Sequence, residues 1–160
     1  MPTRPIAEDL ITWRDGDPSL VGSRCEACGT YAFPVRAGCP KCGATSMRQC
    51  ELEQAGVLWS WTSQGFVPKE PFTGTFMADP FEPWFVGLIE LPGQLRLESI
   101  LTGCTQDTLA FGMPMRLVTL PFGADSDGTE VFTFAFAPAE GGPGGPGEET
   151  GSQSEEPARA

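Results

Sequence analysis

Apolar and polar side chains alternate along much of the second half of the chain. In Leu95-Arg96-Leu97-Glu98-Ser99-Ile100-Leu101, one side carries Leu95, Leu97, Ser99 and Leu101, and the other carries Arg96 and Glu98. A period of two is the signature of a half-buried strand. Val131-Phe132-Thr133-Phe134-Ala135-Phe136 alternates in the same way. Further β-rich runs over residues 56–62, 84–91 and 115–120 bring the strands to five. Pro92-Gly93 predicts a tight turn between the second and third, and Asp125-Ser126-Asp127-Gly128 a turn before the fifth. Near the N-terminus the spacing changes. Ile6, Leu10 and Trp13 fall near one helical face, which predicts a short amphipathic helix over residues 6–13, stopped by Gly16-Asp17-Pro18.

Five strands with one long excursion between the first and second suit a small closed barrel. The OB-fold is the commonest five-stranded barrel, and an incomplete sandwich is the alternative. The excursion, residues 63–83, carries Phe66, Phe72, Phe76, Met77 and Phe81 among Pro68, Pro71, Pro80 and Pro83, and leads into Trp84. It is too rich in proline for a helix and too apolar for a freely solvated loop. It reads either as a flap closing one barrel end or as a docking surface for another protein or an acyl chain, with Phe66, Phe72, Phe76, Phe81 and Trp84 as contacts.

Between the N-terminal segment and the barrel the dominant signal is cysteine. Cys25 and Cys28 form one CxxC pair, Cys39 and Cys42 another, with ten residues between the pairs. Each pair is followed by glycine, Gly29 and Gly43. Two such turns face one another to make a tetrahedral all-sulfur site, and the spacing predicts a zinc ribbon. The chain has no histidine, so a mixed Cys/His site is impossible. Rubredoxin-type iron, and with it an electron carrier, is the competing metal reading. The short gap between the knuckles favours one structural zinc.

The resulting plan is mainly β. An N-terminal helical segment (1–19) precedes the zinc ribbon (20–50), the OB-fold barrel (51–138) and a disordered tail (139–160). The tail is Gly-, Pro- and Glu-rich and cannot build a core.

Net charge sharpens the picture. The 160 residues carry a formal charge of −11, of which the tail, with five glutamates and one arginine, holds −4. The ribbon alone is locally basic, with Arg24, Arg36, Lys41 and Arg48 against Glu26. These cations either offset the dianionic tetrathiolate centre or form an anion-facing patch. An acidic chain is a poor match for nucleic-acid phosphates. A single-stranded nucleic-acid binder, the other common use of OB-folds and ribbons, is therefore the alternative rather than the leading reading.

Catalytic groups are scarce. Without histidine there is no Ser-His-Asp or Cys-His arrangement. A four-thiolate site has no open position for activating water. Cys50 and Cys104 lie outside the knuckles and read as packing residues. Glu90 and Glu98 read as solvated or salt-bridged carboxylates. The chain alone is expected to catalyse nothing. No signal-like segment opens it, and its longest apolar run, residues 84–91, is too short to cross a bilayer, so a cytoplasmic location is expected.

The motifs together resemble a known family, the rubredoxin-like zinc-ribbon/OB-fold proteins associated with acyl-CoA enzymes. The resemblance rests on Leu20-Val21-Gly22-Ser23-Arg24-Cys25-Glu26-Ala27-Cys28-Gly29 with Phe33-Pro34 and Cys39-Pro40-Lys41-Cys42-Gly43. Gly56-Val57-Leu58-Trp59-Ser60-Trp61-Thr62, Glu90-Leu91-Pro92-Gly93 with Arg96, and Gly112-Met113-Pro114 extend it to about residues 10–138. It implies a non-catalytic accessory subunit of a thiolase-fold enzyme, a thiolase, a side-chain retro-aldolase or an acyltransferase, whose partner supplies the catalytic residues. In such a subunit the basic ribbon residues Arg24, Arg36, Lys41 and Arg48 are expected to meet the phosphates of CoA, since Arg and Lys suit phosphate.

Overall fold

The computed structural model describes residues 3–69 and 80–139. Every regular element among them is a strand: β1 (Thr3–Pro5), β2 (Ile11–Arg14), β3 (Asp17–Cys25), β4 (Tyr31–Ala32), β5 (Met47–Glu51), β6 (Ala55–Gln64), β7 (Trp84–Leu91), β8 (Leu95–Leu101), β9 (Pro114–Ala124) and β10 (Glu130–Pro138).

Strands β6, β7, β8, β10 and β9 are hydrogen-bonded in that order, and β9 pairs back to β6. This closes the barrel. All its pairings are antiparallel except β8 with β10, which is the OB-fold arrangement. Strand β7 spans the β-rich run expected at 84–91, and β8 the residues that the alternation predicts. The turn between them has Gly93 at φ 72°, and Gln94 N–H donates to the Leu91 carbonyl at 3.0 Å. Proline followed by a left-handed glycine gives a type II turn.

The N-terminal helix does not form. Residues 11–14 are instead strand β2, paired antiparallel with β3 from Ile11↔Leu20 to Arg14↔Asp17. The reason is Asp15-Gly16. Both residues have positive φ, 55° and 93°, as a two-residue hairpin turn with right-handed strand twist requires. An Asp-Gly pair is among the strongest hairpin signals, and it outweighs three apolar residues at helix-like spacing. Upstream, β1 adds in parallel to the outer part of β10, and Arg4 anchors it to Asp125 at 2.6 Å.

One hydrophobic cluster serves both halves of the chain. It joins barrel residues Leu58, Ile89, Leu91, Leu97, Leu101, Met115, Leu117 and Phe136 to Ile11, Leu20 and Leu52 from the ribbon side. The boundaries expected at 19/20 and 50/51 fall inside β3 and β5. The tail from residue 140 lies outside the described residues.

Candidate metal centre

Strand β3 delivers Cys25 to the site, and the chain then turns through Cys28. Cys25 N–H donates to the Thr30 carbonyl at 2.9 Å and Gly29 N–H to the Cys25 carbonyl at 2.9 Å. The second knuckle repeats this arrangement. Cys39 N–H donates to Ala44 at 2.8 Å and Gly43 N–H to Cys39 at 3.0 Å. Gly29 and Gly43 have φ of 75° and 74°, a left-handed conformation that a side chain at either place would strain. That is the physical content of the CxxCG repeat.

The knuckles bring four sulfurs together. Cys25 Sγ lies 3.7 Å from Cys42 Sγ, and Cys28 Sγ lies 3.6 Å from Cys39 Sγ. All four ligand atoms fall within 4.8 Å of one another. A zinc–sulfur bond of ~2.3 Å in a tetrahedron demands sulfur separations of ~3.8 Å, so the arrangement fits the ion. Cys25 and Cys39 are buried and Cys28 and Cys42 exposed, so the site has an inner and an outer edge. Polar groups already favour thiolate there. The Thr30 hydroxyl and amide lower Cys28 to about 6. The amides of Cys42 and Lys41 lower Cys39. The Ala44 amide pulls Cys42 down, yet the neighbouring Cys28 and Cys39 sulfurs, with desolvation, push it up to about 12. Four sulfurs this close cannot all be anionic without a cation among them, which is the condition a divalent ion relieves.

The basic residues are only partly gathered. Arg24 and Arg48 stand directly opposite one another on β3 and β5. Arg24 lies 5.7 Å from the Tyr31 ring centroid, and Arg48 pairs with Glu26 at 2.7 Å. With Cys25 and Glu26 the two arginines line a shallow hollow of about 290 Å³. Arg36 and Lys41 are exposed on the knuckle loops and do not line it.

Of the expected interface aromatics, Phe72 and Phe76 lie outside the described residues, as does Met77. Phe66 is 73% exposed. Phe81 and Trp84 are half-buried and meet edge-on at 5.6 Å. Glu90 is salt-bridged to Arg96 at 2.6 Å. Burial raises the Cys50 and Cys104 thiols, opposed at Cys50 by Arg24, and both pack against the core cluster. Both therefore stay protonated and fit packing roles. One arrangement escaped the sequence reading. Arg96 stacks over Trp59, 4.2 Å from the ring centroid: Val57, Glu90 and Arg96 are neighbours across β6, β7 and β8, and Trp59, two residues beyond Val57, lies on the same outer face.

Ribbon and barrel each match a family model. Residues 13–48 match the rubredoxin-like zinc ribbon domain of ChsH2, and residues 49–120 match the C-terminal OB-fold domain of ChsH2. The chain belongs to the ChsH2 zinc-ribbon/OB-fold family. With that ribbon type and this sulfur geometry, Cys25, Cys28, Cys39 and Cys42 hold one structural zinc. A chain of the solved Ltp2-ChsH2(DUF35) aldolase is 30% identical, with a TM-score of 0.54, covering 75% of this chain and 84% of that one. Two relatives are described as DUF35 domain-containing scaffold proteins. The one from Methanocaldococcus jannaschii is 28% identical over 76% of this chain and 82% of its own length. The one from Methanothermobacter thermautotrophicus is 27% identical over 83% of this chain and 98% of its own length.

Proposed function

We propose that this ChsH2-family chain is a non-catalytic accessory subunit of a thiolase-fold enzyme acting on acyl-CoA substrates. The observation that carries the reading is the similarity, over three quarters of the chain, to a chain of an aldolase named for two components. The chemistry of the chain supports it. The zinc has four thiolate ligands and no open position, so it acts as a structural tie. The two remaining thiols are held protonated by burial. The partner therefore carries the reacting groups, and this chain supports it in the cytoplasm.

CoA contact, in this reading, falls to the ribbon. Arg24 and Arg48 face one another across two strands; Glu26 already pairs with Arg48, and Arg24, which makes no ion pair among the described residues, offers its guanidinium to an anion. Phosphate suits that group, since guanidinium binds it in a bidentate fashion. Arg36 and Lys41 on the adjoining loops add charge.

The test is recovery of the chain from its native host, with mass spectrometry of co-eluting proteins. A thiolase-fold enzyme at near-equal abundance is the expected result. A chain recovered alone, or with nucleic acid, would overturn the reading. Replacing Arg24 and Arg48 by alanine is expected to weaken CoA binding by the complex and leave assembly intact. Unchanged CoA affinity would remove the ribbon from the CoA site.

A further inference from the structure

The β9–β10 hairpin runs on beyond the barrel. Only Ala135 and Phe136 of β10 pair with β8, whereas Glu130, Val131 and Phe132 pair with β1. The β2 residue Trp13 packs against this extension, its ring 6.2 Å from Phe132 at a tilt of 58°. Beside this contact lies an apolar groove of about 600 Å³, lined by Trp13, Thr119, Val131 and Phe132, with Thr3 and Glu130 also on its walls. Trp13 nevertheless remains 55% exposed. A half-open tryptophan beside a groove of this size has the make-up of an interface anchor.

We infer that this groove seats an apolar segment of the partner enzyme subunit, flanked by lysine or arginine. The inference rests on the accessory-subunit reading and adds where the partner docks. Charge selects the occupant. Among the described residues Glu130 is the sole ionisable group on the groove wall, and it makes no ion pair. A free fatty acid would bring its carboxylate to a wall that holds no cation among the described residues. A second copy of this chain, at −11, would bring further negative charge. A basic partner segment satisfies Glu130 and buries Trp13 together. Strand addition is not the mode. β1 ends the sheet order and carries Pro5, which blunts that edge. The groove therefore takes side chains rather than a new strand.

The experiment uses the enzyme that co-purifies with the full chain. The enzyme is purified separately, and its affinity is measured for the zinc-loaded wild type and for Trp13→Ala and Glu130→Lys. Each variant is expected to bind at least tenfold more weakly with its zinc content unchanged. Glu130→Lys changes only an exposed side chain, so it keeps the test valid if Trp13→Ala folds poorly. Wild-type affinity for both variants overturns the groove and leaves the accessory-subunit reading standing. Failure of the wild-type chain to bring down any enzyme overturns that reading and the groove with it. A lipid carried through purification by the wild type and lost in Trp13→Ala would assign the groove to an acyl chain and overturn the inference. So would self-association lost in the same variant.

Discussion

Leu20 and Cys25 lie on one uninterrupted strand, and both are almost fully buried, Leu20 in the barrel's hydrophobic cluster and Cys25 in the metal centre. Zinc and hydrophobic core therefore act on the same backbone. Strand β3 pairs with β2 at one end and with β4 and β5 at the other, so losing the metal loosens the ribbon from its tip towards the barrel.

Removal of zinc tests this directly. Structural zinc contributes roughly 10–16 kcal/mol of apparent binding free energy at neutral pH, more than a ribbon this size can replace. Chelation, or Cys39→Ser, is expected to abolish stoichiometric zinc and expose the amides of β3 and β5 to hydrogen exchange. The β7–β8 hairpin, which carries no ligand, should remain protected longest. Uniform protection in the metal-free protein would show that the ribbon does not depend on the metal.

Phe136 tests the other half. Its side chain is wholly buried in the barrel. Phe136→Ala should cost about 3–5 kcal/mol in urea unfolding, from lost burial plus the cavity left behind. Zinc content below the transition should be unchanged, because the core cluster that holds Phe136 contains none of the four ligand cysteines. Loss of zinc in the folded variant would contradict that separation.

Gly22 lies midway between core and metal on β3. A Cβ there would stand 2.7 Å from the Ala32 carbonyl oxygen and 3.0 Å from Leu52 Cδ2. Backbone cannot yield as a flexible side chain can, so Gly22→Ala should push β4 away from β3. A loss of about 1–3 kcal/mol is expected, with faster zinc release to a chelator. Gly38→Ala, where a Cβ meets nothing within 4 Å, should change stability by less than about 0.5 kcal/mol. Equal behaviour of the two variants would refute the packing argument.

The β9–β10 turn carries a pH-dependent contact. Asp127 accepts the Thr129 N–H at 3.0 Å, and this bond, with the Thr129 hydroxyl, holds its carboxyl below the ordinary 3.8. A carboxyl depressed on folding stabilises the turn above its unfolded pKa and loses that contribution as pH falls through the folded value. The Thr129 amide resonance should therefore titrate with a midpoint below 3.8, and in Asp127→Asn that titration should disappear. Reading one amide keeps zinc loss at low pH out of the measurement. A midpoint at or above 3.8 would rule the contact out.

Local chemistry decided much of this protein. The CxxCG repeat specifies both the left-handed glycines and the four ligands, because the turn and its sulfurs come from adjacent residues. Strand β7 follows from a β-rich apolar run and β8 from alternation, with Pro92-Gly93 turning one into the other, again within one short window. The N-terminal helix failed for a local reason too, since Asp15-Gly16 carried the hairpin signal that the apolar spacing obscured.

What the sequence could not supply depends on distant partners. The parallel addition of β1 to β10, the stacking of Arg96 on Trp59 and the groove lined by Trp13 and Phe132 join segments far apart in the chain. The closeness of Gly22 to Ala32 belongs with them. No periodicity records which outer faces meet once a barrel closes. Residues alone determined that there would be strands, a closed barrel and a zinc tie. Tertiary structure decided that tie and core share β3, and that Trp13 stays half-open, because both follow from how the N-terminal hairpin packs on the closed barrel.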